Sequence, residues 1–130
     1  VYKVMPVVAI LSTAELDLAV KPYNIVVLVN EMCASMCDIF TAVLKDNGVA
    51  TVAGTQTMGA GGNVVAHYSA PNSQLTLQQT ESLILRKDGS YIENNGVTPD
   101  VAIKVVDSAS SKYQAAVNGA LKVLRTEKKK

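Results

Sequence analysis

Histidine and cysteine are nearly missing from this sequence, and no charge sign dominates it. One histidine, His67, and two cysteines, Cys33 and Cys37, stand among 130 residues. A metal centre draws on several such ligands at recognisable spacings, which His67 and the cysteine pair do not provide. Twelve basic against eleven acidic residues leave a formal charge of +1. Spread along the chain, they form no basic face to neutralise a phosphate backbone, so nucleic-acid binding has little support. No apolar run reaches the length of a bilayer-spanning helix. The amino end, "VYKVMPVVAILS", also lacks the basic, apolar and small-residue order of a signal peptide. It opens on Val1 and reads as the interior or processed part of a larger protein. What is abundant is apolar: 48% hydrophobic residues in a chain of this length suffice for one domain around one core.

The apolar pattern predicts α/β organisation. "VMPVVAIL" is followed by "STAELDLAVKPY", in which Ser12 and Glu15 have capping-box spacing for a short helix. "NIVVLVN" is short, β-branched and apolar on both faces, as in a central strand of a covered parallel sheet. "ASMCDIFTAVLKDNG" then reads as a helix with Ile39, Phe40, Val43 and Leu44 along one side and a left-handed stop at Gly48. "VATVAGT" returns as the next parallel strand, completing a βαβ unit. "TMGAGGN" is a glycine-rich turn without the lysine and hydroxyl of a phosphate loop. "VVAHYSA", "QLTLQQTESLILR" and "SYIE" read as strands separated by turns at Pro71-Asn72 and Asp88-Gly89. The last stretch is a helix with Tyr113, Ala116, Val117, Ala120, Leu121 and Leu124 on one stripe, ending in a solvated lysine run.

Ser35 falls where the first strand hands the chain to the helix. There, free N–H groups and the positive end of the helix dipole favour a developing negative charge, which suits acyl transfer. The same place suits a plain N-cap, and the local sequence accommodates both roles. Cys33 and Cys37, four apart, would lie on one face if the segment is helical throughout. That geometry is poor for a disulfide and predicts two small buried thiols.

Several separated motifs together resemble one family. "NIVVLVNEMCASMCDIFTAVLKDNGVATVAGTQTMGAGG" and then "GSYIENNGVTPDVAI" resemble the catalytic core of the carboxyl-terminal processing, or tail-specific, serine proteases, including their tricorn-type branch. The family pattern is an apolar strand ending in Asn, a Ser-Ala-Ser-type run leading to an acidic residue, a Gly-x-x-Thr-x-Gly turn, and Gly-Val-x-Pro-Asp. Here it covers about residues 24 to 104. The implied fold is a β-rich α/β core of the ClpP/crotonase kind with βαβ units and a C-terminal helix. Residues 1–23 would be a linker or edge segment, 24–106 the catalytic core, and 107–130 the helix and basic tail. Family members are often exported, so the resemblance leans towards a periplasmic or secreted protein.

Carried over residue by residue, the resemblance puts the nucleophile at Ser35, with Asp38 three places on where the family usually has glutamate. Lysine-dependent members read Thr-x-Gly-Lys-Gly in the turn, whereas this chain reads Thr57-Met58-Gly59-Ala60-Gly61. Ala60 cannot take a proton. Glu93, 58 residues after Ser35 and just before Gly96-Val97 and Pro99-Asp100, matches the acidic member of the tricorn-type site. In that branch the base is a histidine from an earlier part of the protein. His67, within a strand pattern, is a poor substitute for it. The Met36 N–H would supply one oxyanion donor, and a glycine-rich turn upstream of Val1 the second. Gly59, Ala60, Gly61 and Gly62 would let a peptide or protein substrate approach the backbone. The resemblance implies no cofactor. It makes an N-terminal fragment of the same protease the partner that supplies the histidine. The competing readings are a protease-derived scaffold without turnover, marked by Ala60, and a thiol enzyme using Cys33 or Cys37.

Alone, these 130 residues are expected to bind peptides poorly and hydrolyse none, because the base and one oxyanion donor each account for orders of magnitude in rate. They are also expected to be unstable or to self-associate, as a homo-oligomer, through an uncovered strand edge. A peptidase assay and light scattering on the purified chain test both. Robust turnover abolished by Ser35→Ala would mean that the base lies within the chain.

Overall fold

The structure, a computed structural model, describes residues 3–6, 24–103 and 111–127. The short helix expected around Ser12 and Glu15 falls outside them. In chain order the elements are β1 (Lys3–Pro6), β2 (Val26–Val29), α1 (Met36–Asp46), β3 (Thr51–Gly54), β4 (Val64–Ser69), β5 (Thr76–Thr80), β6 (Ser82–Leu85), β7 (Val101–Ala102) and α2 (Ser111–Glu127). The result is a mixed helix and strand fold. No helix of the described residues is long and apolar enough to cross a membrane.

β2, α1 and β3 form the expected strand, helix and parallel strand, with Val27 opposite Val52 and Val29 opposite Gly54. Among the described residues β3, not β2, is central: β7 pairs with its other side, placing Ala53 opposite Val101. β2 is therefore an edge among the described residues, and Val26, Val27 and Leu28 are only half-buried. Its apolar character on both faces resembles that of a central strand, but strand order is set by pairing partners far along the chain.

Two apolar clusters hold these layers. Ala42, Ile84, Ile92 and Val97 gather with Ile39 and Val43, while Val29, Cys33 and Val52 gather with Val27. Ile92, Val52 and Val97 are fully buried, each such side chain contributing about 1.5–3 kcal/mol. Ile39 and Val43, four apart on α1, take the core side, whereas Phe40 is turned outwards and 56% exposed. Phe40 is one residue, about 100°, round the helix from Ile39. Arg86 grips Asp46 through Nε and Nη2 at 3.0 and 2.6 Å, tying the end of α1 to the strand β6.

The segment expected as continuous strand around Glu81 is broken there. β5 pairs antiparallel with β4, and β6 pairs parallel with β1. The Glu81 N–H bonds the Asn63 carbonyl between them. "SYIE" is a turn rather than a strand, with one bridge from Tyr91 to Leu85. Asn94 at φ 63° and the bonds from the Asn95 and Gly96 N–H groups to Ile92 O curl it back. On α2, Ala116 is buried and Leu121 is 42% exposed. The flank of Gly119 meets Ile103.

Gly54, at φ 133°, ends β3 where a side chain would collide with the Val29 carbonyl oxygen. Gly48 at φ 65° terminates α1 in open space, as expected. Gly54→Ala should therefore cost about 3 kcal/mol or more through strain and overpacking. Gly48→Ala should cost only about 1 kcal/mol. Denaturant unfolding of the two variants checks the contrast, and equal costs would remove the close-approach explanation.

Candidate active site

β2 delivers the chain to Asn30, where a turn forms. The Met32 N–H bonds Asn30 Oδ1 at 3.1 Å and the Cys33 N–H bonds Asn30 O at 3.0 Å. Two residues later Ser35 occupies the N-cap of α1 with φ 57° and ψ −120°, and its side chain makes no capping hydrogen bond. A residue other than glycine in such a region costs about 1–3 kcal/mol and persists only where its surroundings enforce it. Ser35 is exposed. An ordinary N-cap serine has β-region backbone and spends its oxygen on an N–H of the first turn, and Ser35 does neither. Next to it, the Met36 N–H has no bonded acceptor among the described residues.

Residues 57–60 supply part of the surroundings that hold this conformation. The Met58 N–H bonds Cys33 O, and the Ser35 N–H bonds Ala60 O, both at 2.9 Å. Asp38, fully buried in the first turn of α1, fixes the same stretch from beneath. Its carboxylate accepts the Thr57 hydroxyl, the Gly59 N–H at 3.1 Å and the Ala60 N–H at 3.0 Å. Thr57 Oγ1 in turn accepts the Val97 N–H at 2.7 Å. The Thr57 N–H bonds Val97 O at 3.2 Å. Thus the serine run, the glycine turn and the Gly-Val-x-Pro-Asp segment interlock through one carboxylate and one hydroxyl.

Glu93 borders the same turn. Its Oε2 accepts the Ile84 N–H at 2.9 Å, while its buried Oε1 has no hydrogen-bond partner among the described residues. A Cβ on Gly61 would come within 3.6 Å of that Oε1, and one on Gly62 within 3.0 Å. Glu93 is therefore beside the residue that follows Ala60, whose carbonyl holds Ser35. An orphaned buried acceptor is uncommon and calls for a donor. Within the turn, Gly59 and Gly61 are buried, Gly62 is half-buried and Ala60 is exposed. The flank of Gly59 packs on the backbone of Ile92, Asn95 and Gly96. His67 lies in β4 at the irregularity between Ala66 and Tyr68. Exposed Glu31, next to the turn after β2, receives the Thr55 hydroxyl at 2.8 Å. Its own backbone N–H, and then that hydroxyl, hold its carboxyl below the usual range.

The cysteines require a correction. Cys33 and Cys37 are joined in a disulfide, with Cα atoms 5.2 Å apart, and the described residues contain no free cysteine. A helix running through both would have kept them apart, but α1 begins only at Met36 and Cys33 belongs to the preceding turn. Cys33 is buried and Cys37 exposed, so they are not two buried thiols, and the thiol-enzyme reading loses its nucleophile. The bonding of Thr57 to Asp38 and Val97 is not legible in the sequence, where Thr57 and Asp38 stand only as parts of separate motifs. The available signal was an acidic residue in the first turn of a helix leading to a buried threonine in a glycine turn.

Residues 10–103 match Peptidase family S41. A probable CtpA-like serine protease of Staphylococcus aureus is 39% identical over 95 residues, covering 73% of this chain and 18% of the relative. Mature CPAF, solved in complex with lactacystin, superposes with a TM-score of 0.61 and 37% identity over 82% of this chain and 20% of its own. The tricorn protease gives a TM-score of 0.61 and 26% identity over 78% of this chain and 10% of its own. The chain spans 13% to 18% of the length of curated relatives it matches. With the matched segment covering most of its length and holding the interlocked turn, the chain belongs to peptidase family S41, the family of these serine and carboxyl-terminal processing proteases.

Proposed function

We propose that these residues are the carboxyl-side catalytic portion of a serine endopeptidase that cleaves peptide bonds through an acyl-enzyme. The observation that carries this reading is Ser35, exposed at the start of α1 in an enforced backbone conformation and with its oxygen unspent on capping. Ser35 Oγ attacks the scissile carbonyl, and its proton passes to a histidine carried by residues outside these 130. The Met36 N–H, aligned with the positive end of α1, stabilises the oxyanion together with a second donor from outside the segment. The imidazole returns the proton to the leaving amine, and water then hydrolyses the ester. Glu93 positions the base: its buried Oε1, unpartnered among the described residues, is an acceptor suited to a donor brought in from outside the segment. The core would be of the ClpP/crotonase kind, built on the β2, α1, β3 crossover, and exposed Ala60 would lie along the path of an extended substrate.

The alternative, a scaffold without turnover, draws on Ala60, which stands where lysine-dependent members carry their base. A fluorophosphonate applied to the full-length polypeptide separates the two, since only the enzyme is labelled at Ser35. Glu93→Gln keeps the side chain's size but removes the charge that stabilises an imidazolium. Turnover should fall about a hundredfold or more with KM little changed. Glu31→Gln and Glu81→Gln should keep most activity. If Glu93→Gln behaves like Glu81→Gln, and Ala60→Lys raises the rate, the histidine assignment is wrong and the chain is a disabled lysine-dependent member.

A further inference from the structure

The Cys33–Cys37 disulfide closes a loop of five residues with Ser35 at its centre. Its two ends are held very differently. Cys33 is 6% exposed among Val29 and Val52, its N–H bonds Asn30 O at 3.0 Å, and its carbonyl takes the Met58 N–H at 2.9 Å. Cys37 is exposed on the first turn of α1, where its N–H bonds Ala34 O at 3.1 Å. The bridge thus fastens the first turn of the helix to the fixed end of β2, with the left-handed serine between them. The serine's own N–H bonds Ala60 O at 2.9 Å.

We propose that this disulfide is a positioning brace for Ser35, and that its cleavage by a dithiol turns acyl transfer down. The proposal rests on Ser35 being the nucleophile. With the bridge intact, the start of α1 cannot rotate relative to Cys33, and Ser35 stays out of the conformation of an ordinary N-cap. Once the bridge is cut, the serine can relax to β-region backbone and spend its oxygen on an N–H of the first turn, as serines at helix starts commonly do. The chemistry balances with a dithiol as co-reactant. A thiolate of the reductant attacks the exposed Cys37 sulfur, the bond between the two protein sulfurs breaks, and Cys33 leaves as thiolate. The second thiol of the reductant then displaces Cys37 and closes a disulfide of its own. Two electrons and two protons reach the protein and the dithiol is oxidised. Attack at Cys37 follows from its exposure, because Cys33 is shielded by β2 and β3.

The test uses the full-length polypeptide, a fluorophosphonate and dithiothreitol. Iodoacetamide with peptide mass analysis should block neither cysteine before reduction and both after it. Reduction should lower the maximal labelling rate at Ser35 about tenfold or more, since displacements near 1 Å can cost about a hundredfold. The probe concentration at half-maximal rate should barely move, and reoxidation should restore the rate. The double variant Cys33→Ala with Cys37→Ala should stay at the reduced rate and ignore dithiothreitol. Circular dichroism should show the fold kept throughout. Equal labelling before and after reduction, alkylation of both cysteines without reductant, or a loss of labelling that follows only from unfolding would overturn the brace while leaving Ser35 as nucleophile. Absence of labelling in both states, or labelling elsewhere, would remove the serine assignment itself and the brace with it.

Discussion

One buried carboxylate organises the site. Asp38 has no exposed surface, and its two oxygens are taken by the Thr57 hydroxyl and the Gly59 and Ala60 N–H groups. A buried carboxylate is costly unless its lone pairs are satisfied, so the glycine turn must hold the one path that delivers those donors. That path places the Ala60 carbonyl where it receives the Ser35 N–H. Helix start, turn and serine are therefore tied together by one set of hydrogen bonds, to which the Cys33–Cys37 disulfide adds a covalent link.

The second half of the lock is Thr57. Its hydroxyl donates to Asp38 and accepts from Val97, linking α1 to the segment that ends in β7. Asp100 continues the link, for both its N–H and its carboxylate bond the backbone of Val52 in β3, at 2.8 and 2.9 Å. Lys45 closes the circle from α1, reaching Asp100 at 2.8 Å and the Thr98 carbonyl at 2.6 Å. This explains why motifs far apart in sequence occur together: each supplies a donor or acceptor that another leaves unpaired. Membership of peptidase family S41 thus has a physical content in this chain beyond its residue matches.

Glu93 belongs to a different arrangement. Its Oε2 is engaged by β6 and its Oε1 is buried beside Gly61 and Gly62 without a partner among the described residues. The site thus pairs an unsatisfied acceptor among the described residues with a serine whose side chain makes no capping hydrogen bond. The distribution of satisfied and unsatisfied polar atoms therefore separates the residues that build the turn from those proposed to act.

By itself the sequence determined the order of β2, α1 and β3, the stop at Gly48 and the glycine turn, because local periodicity and left-handed backbone needs are written in neighbouring residues. Ser35 is suggested by its place between strand and helix together with the motif, and Glu93 by the motif alone, and their roles stay proposals. Only the tertiary structure decided that β3 is central, that Phe40 faces outwards and that "SYIE" is a turn, since each depends on partners remote along the chain. The cysteines show the boundary most clearly. Their spacing implies poor disulfide geometry inside a helix, but the helix starts one residue after Ser35. That start is enforced by Asp38 and residues 57–60, which bring Cys33 and Cys37 within bonding reach by holding the turn between them out of helical conformation.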